Sequence, residues 1–534
     1  MSLTIRERCQ AVTDCLFEQG VKGIAKIAAA TGLSKSSVHR HQQAIARRNQ
    51  YPESLWWETQ TGSQWLRVMV LGVVYYFGIK HGVGAESLSE FFTAIHIDAH
   101  VGVSASSLRL LKRKMRDAII AYDVAQQEHC QPTEGQGICV GGDETFFGLP
   151  ILVMLELASG FIFTEVERPN RTYATWQAQI QQWWTRCGWH CHFMVSDGAP
   201  ALIKLAVSGL GCVSVSDLFH ALSALAQPIG SDMGRQISQL NKKATVLQQQ
   251  LLNVRSEAKQ QQLQQSIAEI SAQQQSLEQD KTAYHQVLHR LTQVIHPFNI
   301  KTLEWQLFDD LSAELKAPLA QMSALAKTYG AQKGSKAIDS FQQQIPSMAQ
   351  GIHAWWLWVT QALKGVTDDL DVQNWVLMCL LPWAYWQQQT DKTRNPLLKA
   401  DYRKATEQAY DQLLKHPITQ QMDSQKSQEW VDWAQWMSTK YQRTSSAVEG
   451  RNGYLSRLHH AARGFSEESL KVLTIIHNFD LKRADGTTAA QRLFGHPFPD
   501  VFESVISSMG ELPVARQSSK TKRPNPLTQA IFPA

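Results

Sequence analysis

No stretch of this sequence stays apolar long enough to cross a bilayer. The two most hydrophobic runs, Leu66 to Phe77 and Val376 to Trp386, fall well short of the roughly 20 residues a spanning helix needs. They read as buried helices, and no membrane partner is expected. Charge is scarce too. Asp, Glu, Lys and Arg make up 19% of the 534 residues and the net charge is only +5, a mildly basic balance that permits a nucleic-acid partner without demanding one. An ordinary soluble enzyme fits that balance equally well. The eight cysteines are scattered and no secretory leader opens the chain, so reduced thiols in a cytoplasmic protein are expected. The cluster Cys187-Gly-Trp-His190-Cys191-His192 invites a zinc reading. It lacks a second ligand pair at matching spacing, and its end falls in an apolar strand whose side chains alternate faces, so zinc is set aside.

What is present is apolar material for a sizeable core, 43% of residues, over a length that suggests three or four domains. Residues 1–50 read as a helix-turn-helix. Ala28 and Ala29 let two helices approach, Gly32 supplies a positive-φ turn, Ser34 caps the next helix, and Leu33 and Val38 pack inward. Lys35, Ser36, Ser37, His39, Arg40 and His41 are then expected to face outward, where base edges or phosphates are met; a generic helical hairpin is the alternative. Residues 51–130 read as a second helical block, with segments 86–92 and 104–115 forming another hairpin that ends in a basic run; DNA binding and a plain solvated face remain open there.

From residue 137 the pattern changes to short apolar strands: 137–143, 150–157, 161–166, 192–196 and 212–215, with a helix over 172–186 and another over 199–208. The order β-β-β-α-β-α-β, with the first three strands antiparallel neighbours, is the ribonuclease H-like topology, a mixed five-stranded sheet in an α/β core spanning 131–230. Then the strands stop. Residues 231–295 are rich in Gln, Lys and Glu, and Ile237, Leu240, Ala244, Leu247, Leu251, Val254 and Ala258 form a heptad seam. The phase breaks between Ala258 and Leu263, which predicts a coiled-coil arm that is either an antiparallel hairpin or one long helix with a stutter. Residues 296–440 read as a Trp-rich all-α insertion domain, 441–512 as the last part of the interrupted core, and 513–534, with Arg516, Lys520, Lys522 and Arg523, as a disordered basic tail.

Two aspartates close strands of this core. Asp143 ends the first in Gly141-Gly142-Asp143-Glu144, where the glycines are expected to leave room for a substrate backbone and Glu144 to point to the opposite face. Asp197 ends the fourth, immediately before a helix. If those strands are neighbours the two carboxylates sit side by side, the arrangement that holds divalent cations for phosphodiester chemistry. Taken singly, Asp143 is equally a turn residue and Asp197 a helix cap.

The segment Asp143 to Leu225 resembles the catalytic core of bacterial insertion-sequence transposases of the DDE type. Val195-Ser-Asp197-Gly-Ala-Pro-Ala-Leu-Ile-Lys204 is similar to their second-aspartate motif, and Ser216-Asp217-Leu-Phe-His220 to the aspartate-x-x-histidine motif of members with helical insertions, the hAT and Mutator groups. The resemblance implies that Asp217 and His220 shape the active site or position DNA; a helix-capping aspartate with an ordinary histidine one turn later is the open alternative. It also implies a third acid on a returning helix, for which Thr444-Ser-Ser-Ala-Val-Glu449-Gly-Arg451-Asn452-Gly-Tyr-Leu455-Ser-Arg457 is the match. On this likeness Asp143, Asp197 and Glu449 are the catalytic and metal-binding residues, two Mg²⁺ or Mn²⁺ ions are the cofactor, and Arg451, Asn452 and Arg457 touch phosphates. Gly450 and Gly453 weaken a helix there by roughly 1 kcal/mol each, so Glu449 stands either on a helix approached closely by DNA or by the sheet, or in a loop. The partners implied are double-stranded DNA, as inverted-repeat element ends and target, and further copies of the chain as a homodimer or larger assembly on DNA. The setting implied is cytoplasmic and nucleoid-associated. Three other readings stay open: a helix-turn-helix regulator, a metal-dependent nuclease that cuts without joining, and a structural role for the coiled coil alone.

Overall fold

The computed structural model describes residues 4–133, 136–462 and 464–515. The chain divides into two compact units, one of residues 1–130 with 454–534 and one of residues 131–453. The expected block 441–512 is therefore divided at Gly453.

The first unit opens with α1 (Ile5–Phe17), α2 (Ile24–Thr31) and α3 (Lys35–Arg48). Val12, Cys15, Ile27, Val38 and Ile45 form their common core. Gly32 takes φ +69° between α2 and α3, and Ser34 Oγ accepts from the Ser37 N–H to cap α3, as the turn chemistry requires. Further helices follow: α4 (Gln60–Val73), α5 (Ala85–Ala94) and α6 (Ala105–Gln126). After the second unit the chain returns with α19 (Glu467–Phe479), α20 (Ala489–Phe494) and α21 (Val501–Ser508). Asp480 ties the returning segment to the first, accepting from Tyr75 Oη at 3.0 Å and pairing with Lys80 at 2.7 Å. The Gly102 N–H donates to the Pro513 carbonyl at 2.7 Å, so the expected tail begins ordered. Its remainder, 516–534 with Arg516, Lys520, Lys522 and Arg523, lies outside the described residues.

The second unit is built on one mixed sheet of β1 (Gly137–Phe146), β2 (Pro150–Glu156), β3 (Ile162–Glu167), β4 (His190–Ser196) and β5 (Val213–Ser216), in the order β3-β2-β1-β4-β5. The pairs β1–β2 and β2–β3 are antiparallel, while β1–β4 and β4–β5 are parallel. The central strands are buried along nearly their whole length, which is why they read as continuous apolar runs. The helices α7 (Tyr173–Cys187) and α8 (Pro200–Lys204) connect β3 to β4 and β4 to β5.

The arm is a hairpin of α9 (Leu218–Asn253) and α10 (Glu257–Val294). Gln274 donates to Asn241 and Tyr284 Oη to the Ala226 carbonyl, pairings that only antiparallel helices make. Its first helix starts at Leu218, earlier than the heptad pattern at 231 suggested, because Asp217 caps it and Pro228 is carried inside it. Next come α11 (Phe308–Thr328), α12 (Ala331–Lys364), α13 (Leu370–Trp375), α14 (Leu381–Lys392), α15 (Pro396–Lys415), α16 (Pro417–Gln421) and α17 (Ser424–Lys440). Trp355, Trp375 and Trp386 are buried among them. This stretch packs on the sheet: a Cβ at Gly351 would lie 2.7 Å from Val215 Cγ2, and Trp358 stacks on His192 with ring centroids 4.0 Å apart. The last element is α18 (Ser446–Ala462). Among the described residues no helix is long and apolar enough to cross a membrane.

Candidate metal centre

The sheet register brings the first two acids together. Gly141 of β1 pairs with Val195 of β4 in parallel, so two residues further along each strand Asp143 lies beside Asp197 at the same sheet end. Asp197 is exposed, and its Oδ1 accepts from the Ala199 N–H at 2.9 Å. Asp143 is buried.

Helix α18 supplies the third acid. Its inward positions are Val448, Arg451, Asn452 and Leu455, all buried, at the i, i+3, i+4, i+7 spacing of one helix face. Glu449 is on the helix and half-buried beside that face. Neither helix glycine breaks it. A Cβ at Gly450 or Gly453 would meet nothing within 4 Å, so both lie on the open side. The glycines that matter for close approach are in β1. A Cβ at Gly141 would come within 2.6 Å of Leu157 Cδ2 and 3.2 Å of Val448 Cγ2, and one at Gly142 within 2.7 Å of Met194 Cε. The room expected there for a substrate backbone is taken by the protein's own packing.

The resulting cluster has two donor sets that share Asp143. Asp143, His220 and Glu449 offer ligand atoms within 4.8 Å of one another, and so do Asp143, Glu144 and Asp197. His220 Nε2 lies 2.8 Å from Glu449 Oε1, close enough for an ion pair but not aligned for a hydrogen bond. Glu144 does face the opposite side of the sheet, where Trp176 Nε1 of α7 donates to it at 3.4 Å and Arg171 stands 3.3 Å away. At the strand end its carboxylate nonetheless reaches the cluster, a reach that alternation alone does not convey.

The electrostatics mark a site short of positive charge. Burial pushes the Asp143 carboxyl up to about 7; Glu449 and Asp197 add to the rise, and the Glu144 backbone N–H and His220 oppose it. Burial also raises Glu144, with Arg171 opposing. A cation placed among these carboxylates would favour their ionised forms. The donors fit such an ion: one set is all oxygen, as hard divalent cations prefer, and the other adds an imidazole.

Asp217 is buried and sits behind the cluster. Its Oδ1 accepts from the His220 N–H at 3.0 Å, and its Oδ2 accepts from both the N–H and the hydroxyl of Ser445 at 2.5 Å. It thus caps α9 and seats the residue that precedes α18. The same segment is gripped again at Arg443, whose Nη1 donates to the Thr292 and Ile295 carbonyls at the end of α10 and whose carbonyl accepts from the Leu218 N–H.

Three of the expected phosphate contacts are not available. Arg451 is buried in a bidentate pair with Glu165 of β3, Nε–Oε1 2.6 Å and Nη2–Oε2 2.7 Å. Asn452 is buried and donates to Asp143 Oδ2 at 2.9 Å. Both lie on the inward face of α18, whereas Arg457 is on its exposed face. In α3, Lys35, Ser36, His39 and Arg40 are exposed but Ser37 is buried. Being next to inward-facing Val38 and one turn from the cap, Ser37 lies on the packed face. Strand alternation sets Glu144 aside for the face it points to, and the sequence does not single out Glu165. The adjacency of Glu144 to Asp143 was the available signal, and Glu165 had none, since its partner is 286 positions away.

Residues 376–521, a stretch that includes Glu449, Arg451 and Asn452, match a protein family of unknown function, DUF6399. No curated protein and no solved structure matches the chain.

Proposed function

We propose that this protein is a DDE-type DNA transposase with a ribonuclease H-like core, and that Asp143, Asp197 and Glu449 are its catalytic carboxylates. The observation that carries the reading is the meeting of Asp143 with Asp197 on one side and with Glu449 and His220 on the other. The antiparallel triplet β3-β2-β1 flanked by parallel β4 and β5 supports the fold assignment. The exposed Lys35, Ser36, His39 and Arg40 on α3 support DNA as the partner.

Asp143 with Asp197 and Glu144 would hold one Mg²⁺ or Mn²⁺ ion, and Asp143 with Glu449 and His220 would hold the other. Such ions, when bound, supply charge neutralisation at the scissile phosphate and lower the pKa of an attacking hydroxyl. The chain's own part is to hold the carboxylates fixed. Asp217 seats the start of α18 through Ser445, and Arg451 with Glu165 holds that helix to the sheet. Donor-end cleavage and strand transfer by the freed 3′-hydroxyl follow from the family likeness, as does assembly of further copies on paired element ends.

The test uses purified protein with the DNA that flanks its coding region, in Mg²⁺ or Mn²⁺. Cleavage at the element end and joined product in a plasmid assay are expected, both abolished by Asp143→Asn and by Glu449→Gln while DNA binding persists. Cleavage without joining would make the protein a nuclease. Full function of the Asp143→Asn variant would make it a DNA-binding regulator.

A further inference from the structure

Asn452 makes an unusual use of a buried amide. The residue is 9% exposed, its Nδ2 donates to Asp143 Oδ2 at 2.9 Å, and its Oδ1 is buried with no hydrogen-bond donor among the described residues. A buried acceptor left unmatched is a cost that a leucine of similar volume would not carry. The amide also cannot turn over, because exchange of its two ends would set Oδ1 against the Asp143 carboxylate. Its orientation is therefore tied to the charge on Asp143. Its position is tied to the neighbouring residue, since the Arg451–Glu165 pair is bidentate and almost wholly enclosed, with side-chain exposures of 2% and 0%. An ion pair that has given up this much hydration contributes little net stability, but its two-point contact is directional. It sets the rotation of α18 about its axis, and with it the direction in which Asn452 presents its N–H.

We infer that Asn452 is a positioning residue for divalent-cation binding: it holds the Asp143 carboxylate so that its remaining lone pairs face the two donor sets, and its unmatched Oδ1 is the acceptor for water carried by a bound cation. This rests on the reading of Asp143 as a metal ligand. Outer hydrogen bonds of this kind orient ligands, and their loss typically weakens binding about 10- to 100-fold.

The experiment is calorimetric titration of the full-length protein with MnCl₂ at fixed pH, beside thermal unfolding in chelator. Asn452→Leu and Asn452→Asp remove the donor. Each is expected to weaken Mn²⁺ binding by at least about tenfold, with the cation-free unfolding midpoint of Asn452→Leu unchanged or raised. Asn452→Ser, which keeps a donor and an acceptor, is expected to recover part of the affinity and covers the case in which the leucine variant does not fold. Asp143→Asn separates the two levels. If it binds Mn²⁺ as the wild type does, the metal-site reading itself fails. If it loses binding while Asn452→Leu and Asn452→Asp keep wild-type affinity, only the role of Asn452 is overturned. A lowered cation-free midpoint with unchanged affinity would likewise reduce Asn452 to a packing residue.

Discussion

Asp217 receives both the backbone N–H and the hydroxyl of Ser445 on one carboxylate oxygen, across 228 positions of sequence. That single oxygen joins the first turn of α9 to the entry of α18, and so sets how far Glu449 stands from His220. The carboxylate is 1% exposed, so an alanine there would strand two buried donors. Asp217→Ala is expected to lose about 2–4 kcal/mol of stability, from charge-assisted bonds worth roughly 1.5–3 kcal/mol, and Asp217→Asn less. Denaturant unfolding measures both. An unchanged midpoint in the alanine variant would show that the clamp is not used.

The raised Asp143 carboxyl predicts a pH dependence with a definite sign. Its folded-state value of about 7 lies above the ordinary 3.8, so the folded protein holds a proton that the unfolded chain releases. The burial penalty is absent below about pH 4, grows as pH rises, and is complete above about pH 7. In chelator, Asp143→Asn should be more stable than wild type by about 2–4 kcal/mol at pH 8 and equal to it near pH 4. Binding of Mn²⁺ near pH 6 should release roughly one proton, measurable by calorimetry in buffers of different ionisation enthalpy.

Two glycines beside the site should respond oppositely to alanine. Gly141→Ala forces a methyl against Leu157 and Val448, and is expected to cost about 1–3 kcal/mol and to weaken Mn²⁺ binding by moving α18 off β1. Gly450→Ala adds a methyl in open space on the helix and is expected to gain up to about 1 kcal/mol. Thermal unfolding of the pair tests both signs.

The outward face of α3 predicts a salt signature. Lys35→Ala and Arg40→Ala should each weaken binding to the DNA flanking the coding region and reduce the slope of log affinity against log salt by about 1. Ser37→Ala, at a buried position, should leave that slope unchanged. Fluorescence anisotropy across a salt series reads the difference. Equal slopes for all variants would remove α3 from the interface.

Features whose physics is local could be read from the sequence alone. The strands of the sheet are short apolar runs between turn residues. The turn at Gly32 and the cap at Ser34 are set by neighbours within three positions. Asp143 and Asp197 could be picked out because each closes an apolar run, but their adjacency depended on β1 and β4 being neighbours in the sheet. Where several residues compete for one helix face, composition misled: Ser37, Arg451 and Asn452 are polar, yet the periodicity of α3 and α18 turns them inward. Tertiary structure alone decided the partners that convert those inward polar groups from a cost into geometry. Glu165 accepts Arg451, Asp143 accepts Asn452, and Asp217 accepts Ser445, across 286, 309 and 228 positions. A hydrogen bond has no periodicity along the chain, so the sequence carries no trace of which buried acid will meet which buried donor.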